Sequence, residues 1–120
     1  MKVKINDYDI TNLIAYNGLK WQRNDIDDPD TGRDMSGTMH RGRVATKIRL
    51  DITCRPLYAN ELRTLLNLIY PEFVSVMYDD PMQGRVVKTM YSNNNPAAYQ
   101  GKNKDGREVW TGVTFPLIER

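Results

Sequence analysis

Val44-Ala-Thr-Lys-Ile-Arg-Leu-Asp-Ile-Thr-Cys54 is the stretch that decides the fold. Val44, Thr46, Ile48, Leu50, Ile52 and Cys54 take the even positions and are apolar or β-branched, while Lys47, Arg49, Asp51 and Thr53 take odd ones. Successive strand side chains point to opposite faces, so this period of two describes a strand with one face on a core. At the 100° steps of a helix, Ile48, Leu50 and Ile52 would scatter around the cylinder. The stretch is therefore read as the central strand, and the other elements are placed around it.

Downstream, Arg55-Pro56 ends the strand, because proline lacks a ladder donor and restricts the residue before it. The spacing of Leu62, Leu65, Leu66 and Ile69 predicts an amphipathic helix over Tyr58–Tyr70, stopped by Pro71. Glu61 stands where the glutamate of a capping box would be. Tyr58 at the cap lacks the usual short oxygen, so packing has to hold the helix. Phe73–Tyr78 and Arg85–Tyr91 are rich in β-formers and flank Asp79-Asp80-Pro81-Met82-Gln83-Gly84, which predicts a hairpin. The polar run Ser92–Gly106 reads either as a long hairpin loop or as two short strands meeting at Asp105-Gly106. Glu108–Ile118 is read as the closing strand, with Val109, Val113, Phe115 and Leu117 on one face and Pro116 at an edge or bulge.

Upstream, Val3 and Ile5, then Tyr8 and Ile10, predict a short hairpin turning at Asn6-Asp7. Gly18 is read as a break before a strand over Leu19–Asp25, with Leu19, Trp21 and Arg23 on one side. Trp21 is a core or interface anchor. Asp25-Ile-Asp-Asp-Pro-Asp-Thr-Gly-Arg-Asp-Met-Ser-Gly37 is dense in turn formers and reads as an exposed loop. Its carboxylates raise calcium as a ligand, but the offsets of glycine and the lack of a closing glutamate do not match the twelve-residue calcium loop.

The 120 residues suit one domain, and 40% apolar with 27% charged residues is ordinary for a globular chain. No run is long and apolar enough to span a bilayer, and Met-Lys-Val-Lys-Ile lacks the core of a secretory signal, so folding in a cytosol is expected. Cys54, the single cysteine, reads as a small buried hydrophobe. One histidine, His40, and one cysteine are a poor basis for zinc or a nucleophilic triad, and the phosphate-binding glycine motifs do not occur. No enzyme activity, cofactor or small-molecule substrate is expected.

Seventeen basic and fifteen acidic residues leave a net charge of +2, but their order is uneven. Asp25, Asp27, Asp28, Asp30 and Asp34 come first, and Arg41, Arg43, Lys47, Arg49 and Arg55 follow. These ten are the candidate assembly interface, since acid followed by base suits contacts between copies. The competing reading is a nucleic-acid-binding module using the basic side of the central strand, against which stand Asp51 on that side and the low total charge.

Several blocks together carry a resemblance. They are Ser36-Gly-Thr-Met-His-Arg-Gly-Arg-Val-Ala-Thr-Lys-Ile-Arg-Leu-Asp51, Leu65-Leu-Asn-Leu-Ile-Tyr-Pro71, Val76-Met-Tyr-Asp-Asp-Pro-Met-Gln-Gly84, Thr89-Met-Tyr-Ser-Asn93 and Trp110-Thr-Gly-Val-Thr-Phe-Pro-Leu-Ile-Glu-Arg120. The set resembles a family of small uncharacterised phage and prophage proteins encoded with tail genes of long-tailed phages of Gram-positive bacteria. Tyr58, in place of a serine or threonine cap, and the long Asp25–Gly37 segment depart from it. The resemblance implies a tail tube, distal tail or baseplate component that assembles with itself, as a ring or stack, and with other tail proteins. It would be made in the host cytoplasm and carried in the virion tail. Strand edges at Lys2–Ile5 or Thr114–Ile118 are the expected points of strand addition between subunits. The fold expected on all these grounds is mainly β (α+β), an antiparallel β-sandwich or curled sheet with one flanking amphipathic helix.

Overall fold

The computed structural model describes the chain except residues 28–31, 34–38, 41, 42 and 94, and describes side chains outside 25–45. The elements run β1 (Lys4–Ile5), β2 (Tyr8–Asp9), a 3-10 turn (Thr11–Leu13), β3 (Ile14–Asp27), β4 (Gly32–Arg33), β5 (Met39–His40) and β6 (Arg43–Cys54). There follow β7 (Leu57–Tyr58), α1 (Ala59–Ile69), β8 (Val74–Asp80), β9 (Gly84–Tyr91), β10 (Ala98–Lys102), β11 (Glu108–Thr111) and β12 (Thr114–Glu119). A seven-stranded sheet has the order β2-β1-β8-β9-β12-β6-β3, a three-stranded one β10-β11-β7, and β4 pairs β5. The ladders are antiparallel. The protein is mainly β, a curled antiparallel sheet with one flanking helix.

The alternation of the central strand decides where the core lies. Ile48, Leu50, Ile52 and Cys54 are buried, and opposite them Phe115 and Leu117 of β12 are buried as well. Val74, Val76 and Tyr78 of β8 and Met90 of β9 continue the same core. Leu62, Leu65 and Ile69 of α1 close it, in line with their helical spacing. Glu61 accepts the Tyr58 N–H at 3.1 Å and a two-pronged pair from Arg55, the closer prong at 2.9 Å. The cap thus comes from the Glu61 carboxylate, which Arg55 holds by donating to it, while the Tyr58 hydroxyl accepts from Asn103 at 3.3 Å. Burial pushes the Cys54 thiol up to about 11, so it stays protonated and apolar at neutral pH.

Four expectations are corrected here. Gly18 does not break the chain; it lies inside β3, at a register shift between Ile14 and Leu19. A Cβ there would sit 2.3 Å from the Thr53 carbonyl oxygen, so the strand needs glycine for close approach rather than for a turn. Asn17, at φ 59, supplies the left-handed step beside it. The Asp25–Gly37 segment is not a loop throughout, since Asp25–Asp27 extend β3 and Gly32–Arg33 form β4.

The Glu108–Ile118 strand is two strands. Gly112, at φ 66, turns the chain from the small sheet into the large one. Finally, the open edges of the large sheet are not those expected. Lys4–Ile5 is flanked by β2 and β8, and Thr114–Ile118 pairs β6 throughout, with Thr114–Leu117 open only on the side toward β9. The edges are β2 and β3. Pro116 still fits, because β12 meets β9 only at Ile118 and Glu119, so its missing donor faces no neighbouring strand. The Ser92–Gly106 alternatives resolve as two short strands, β10 and β11, around a turn in which the Asn103 side chain accepts from Asp105 and Arg107 N–H.

Candidate assembly surface

β3 and β6 are far longer than the sheet that supports them. β12 accompanies β6 only from Thr53 to Arg49, whereas the β3 ladder continues to Ala45 and Arg43. Where β12 stops, Glu119 takes over: one oxygen accepts the Ile48 N–H at 2.9 Å and the other pairs with Lys88 at 3.3 Å. Lys47 donates to the Arg120 carbonyl at 2.6 Å just beyond. Past this point the sheet, among the described residues, is a two-stranded arm. A strand of fourteen residues spans about 46 Å at roughly 3.3 Å per residue. The molecule measures 70 × 26 × 25 Å with a radius of gyration of 18.3 Å, against about 14 Å for a compact chain of this length.

The root of the arm is fastened by one carboxylate. Asp80, 5% exposed at the end of β8, accepts from Trp21 Nε1 at 3.1 Å, the Tyr78 hydroxyl at 2.8 Å, and the N–H groups of Met82 and Gln83 at 2.7 and 3.1 Å. Burial alone would raise the Asp80 pKa, yet these donors outweigh it and hold the carboxyl below its ordinary value. Burial, then the same carboxylate, pushes the Tyr78 phenol far up. Trp21 belongs to β3 and Asp80 to β8, four steps apart in the sheet order, so their bond spans the concave side and holds the curl. A cleft of about 230 Å³ opens beside it, lined by Arg23, Ile48, Asp80, Lys88 and Glu119 among others.

The expected interface residues divide between the ends of this ladder. Asp27 lies directly across from Arg43, and Asp25 across from Thr46, next to Lys47. Acidic and basic positions that are separate in sequence thus face each other in the register of one antiparallel ladder. Arg49 pairs with Asp51 at 3.1 Å, and Arg55, at the opposite end of β6, pairs with Glu61 and donates to Asn12 O at 2.8 Å. Lys47, Arg49 and Arg55 therefore each have acceptors in their own chain and do not form an unoccupied basic strip. Asp28, Asp30, Asp34 and Arg41 lie outside the described residues, as does the calcium reading of their segment.

The Asp80 cluster and the ladder-ending role of Glu119 were not foreseen. One signal was present: an aspartate that opens a turn and accepts the N–H two residues on, as Asp80 does from Met82, is a common turn device. Trp21 as its partner was not readable, because 59 residues separate the two.

Among the described residues, β3 pairs on one side only, with β6. The opposite edge, β2, is two residues long and flanked by a Lys2–Asp9 ion pair at 4.0 Å. A short charged edge resists strand addition, and a long one invites it. Among the described residues no helix is long and apolar enough to cross a membrane. The chain matches no protein-family model, and neither a curated protein nor a solved structure is significantly similar to it.

Proposed function

We propose that this chain is a structural subunit of a phage or prophage tail, in the tube, distal tail or baseplate, and that it works by assembling with itself and with other tail proteins. The observation that carries the reading is the two-stranded arm, which runs past the supporting sheet and holds an open strand edge away from the core. Such an edge supplies ready hydrogen-bond partners for a neighbour's strand, and the arm adds reach without adding core. The family resemblance in the sequence points the same way.

The test is made on particles. Tails purified from a host carrying this sequence should contain its peptides by mass spectrometry, in fixed ratio to other tail proteins through repeated gradient purification. Peptides confined to the soluble lysate would sink the reading. DNA binding by the isolated protein that weakens steeply with salt would favour the nucleic-acid alternative instead.

A further inference from the structure

The free edge of β3 carries its own complement. Along the strand the charges run from basic to acidic: Lys20 and Arg23, then Asp25 and Asp27. An antiparallel neighbour presents the reverse order, so a strand of this kind is complementary to a second copy of itself. Of the two outermost strands of the large sheet β2 has only two residues, so among the described residues the outer strand of matching length to receive β3 is another β3.

We propose that two copies join β3 to β3 in antiparallel fashion over Trp21–Asp27, making one continuous sheet across a two-fold axis at Asn24. The inference deepens the assembly reading above and rests on it for its biological meaning. Register follows from two requirements. In a continuous sheet, residues directly opposite share a face, which limits the axis to positions that pair odd with odd and even with even. Like charges directly opposite destabilise a pair and unlike charges favour it.

An axis at Arg23 sets that residue against itself, and an axis at Asp25 does the same for aspartate. An axis at Asn24 sets Arg23 opposite Asp25 of the second copy, twice by symmetry, and pairs the two Asn24 residues. Arg23 also makes contacts in its own chain, and the pairing adds an acidic neighbour from the second copy. The isologous contact closes on itself, so it produces dimers rather than a chain of subunits. Such a dimer would be a building unit for a larger tail assembly.

The experiment uses the full chain and two variants, Arg23→Asp and Asp25→Arg, with light scattering after size exclusion and circular dichroism to confirm folding. The wild type should run at twice its 13.9 kDa mass at high concentration. Each variant alone places like charges opposite each other and should dimerise at least about tenfold more weakly. An equimolar mixture should recover the dimer, since one copy then carries two acids and the other two bases.

A wild type that is monomeric at every concentration overturns the proposal. So does a wild-type dimer that both variants retain, or a mixture that stays monomeric. The particle experiment reads separately from this one: a chain that enters tails without dimerising through β3 loses this inference and keeps the function, and a β3 dimer missing from tails does the reverse.

Discussion

In one half of the β3–β6 ladder Leu19 and Trp21 lie opposite Ile52 and Leu50; in the other, Asn24, Asp25 and Asp27 lie opposite Lys47, Thr46 and Arg43. The ladder runs unbroken from Leu19 to Ile26 and shifts register once before Asp27, yet the two halves are held by different forces. The root half buries side chains against β8, β12 and the helix. The distal half has a ladder and charges, with no third strand beside it among the described residues. Burial therefore sets stability at one end, and composition leaves the other available for association.

The largest effect should come from emptying the root. Leu50→Ala removes a fully buried side chain at the centre of the sheet and should cost about 3 kcal/mol in urea unfolding. A loss under about 1 kcal/mol would mean that the core does not run through β6. Asp80→Ala should cost about 2 kcal/mol, because it leaves Trp21 Nε1 and the Tyr78 hydroxyl without their acceptor.

Asp80 also sets a pH dependence. Its folded pKa lies below the unfolded one, so its contribution is complete above about pH 4 and fades as pH falls through the folded value. In Asp80→Ala that acid-side decline should be shallower, as measured by urea midpoints from about pH 2 to 7.

Glu61→Ala, which removes the acceptor for both Tyr58 N–H and Arg55, should cost about 1 kcal/mol and lower helicity by circular dichroism. Smallest of all is the arm. Asp25 and Thr46 are directly opposite, so an Asn-Gly turn can join them in place of residues 26–45. Stability should change by no more than about 1 kcal/mol, while self-association should weaken because the native strand left to pair ends at Asp25. A collapse of the fold on this change would erase the distinction between root and arm.

The same contrast explains what was legible in the sequence. Period two at Val44–Cys54 and the Leu62–Leu65–Leu66–Ile69 spacing report burial, and burial is what a pattern records. The N-terminal hairpin was equally plain, because Asn6 and Asp7 tolerate the positive φ of a tight turn and adopt it at 48° and 68°. Outside the core the pattern has little to record. Turn-forming residues at Asp25–Asp27 looked like a loop, yet pairing with β6 continues there. Gly18 and Gly112 looked alike as interruptions, but one permits close approach of Thr53 and the other turns the chain between sheets. Which strands lie outermost depends on sheet order, a long-range property: Lys4–Ile5 proved to be paired on both sides, and Thr114–Leu117 lies within the sheet order with only its β9 side open. The acidic and basic sets were read together as an interface between copies, and the ladder places one acidic position, Asp27, across from one basic position, Arg43, in the same chain.

One consequence of the sheet order concerns time rather than stability. β12 follows β6 and β9 in the chain and lies between them. Until it emerges during synthesis, the β8–β9 and β6–β3 units have no strand joining them, and both present raw inner edges. Such late, long-range insertion is slow compared with hairpin formation and leaves a window for mispairing. The nascent protein thus meets its greatest exposure to stray strands before β12 is made, and docking of Phe115 and Leu117 is what ends it.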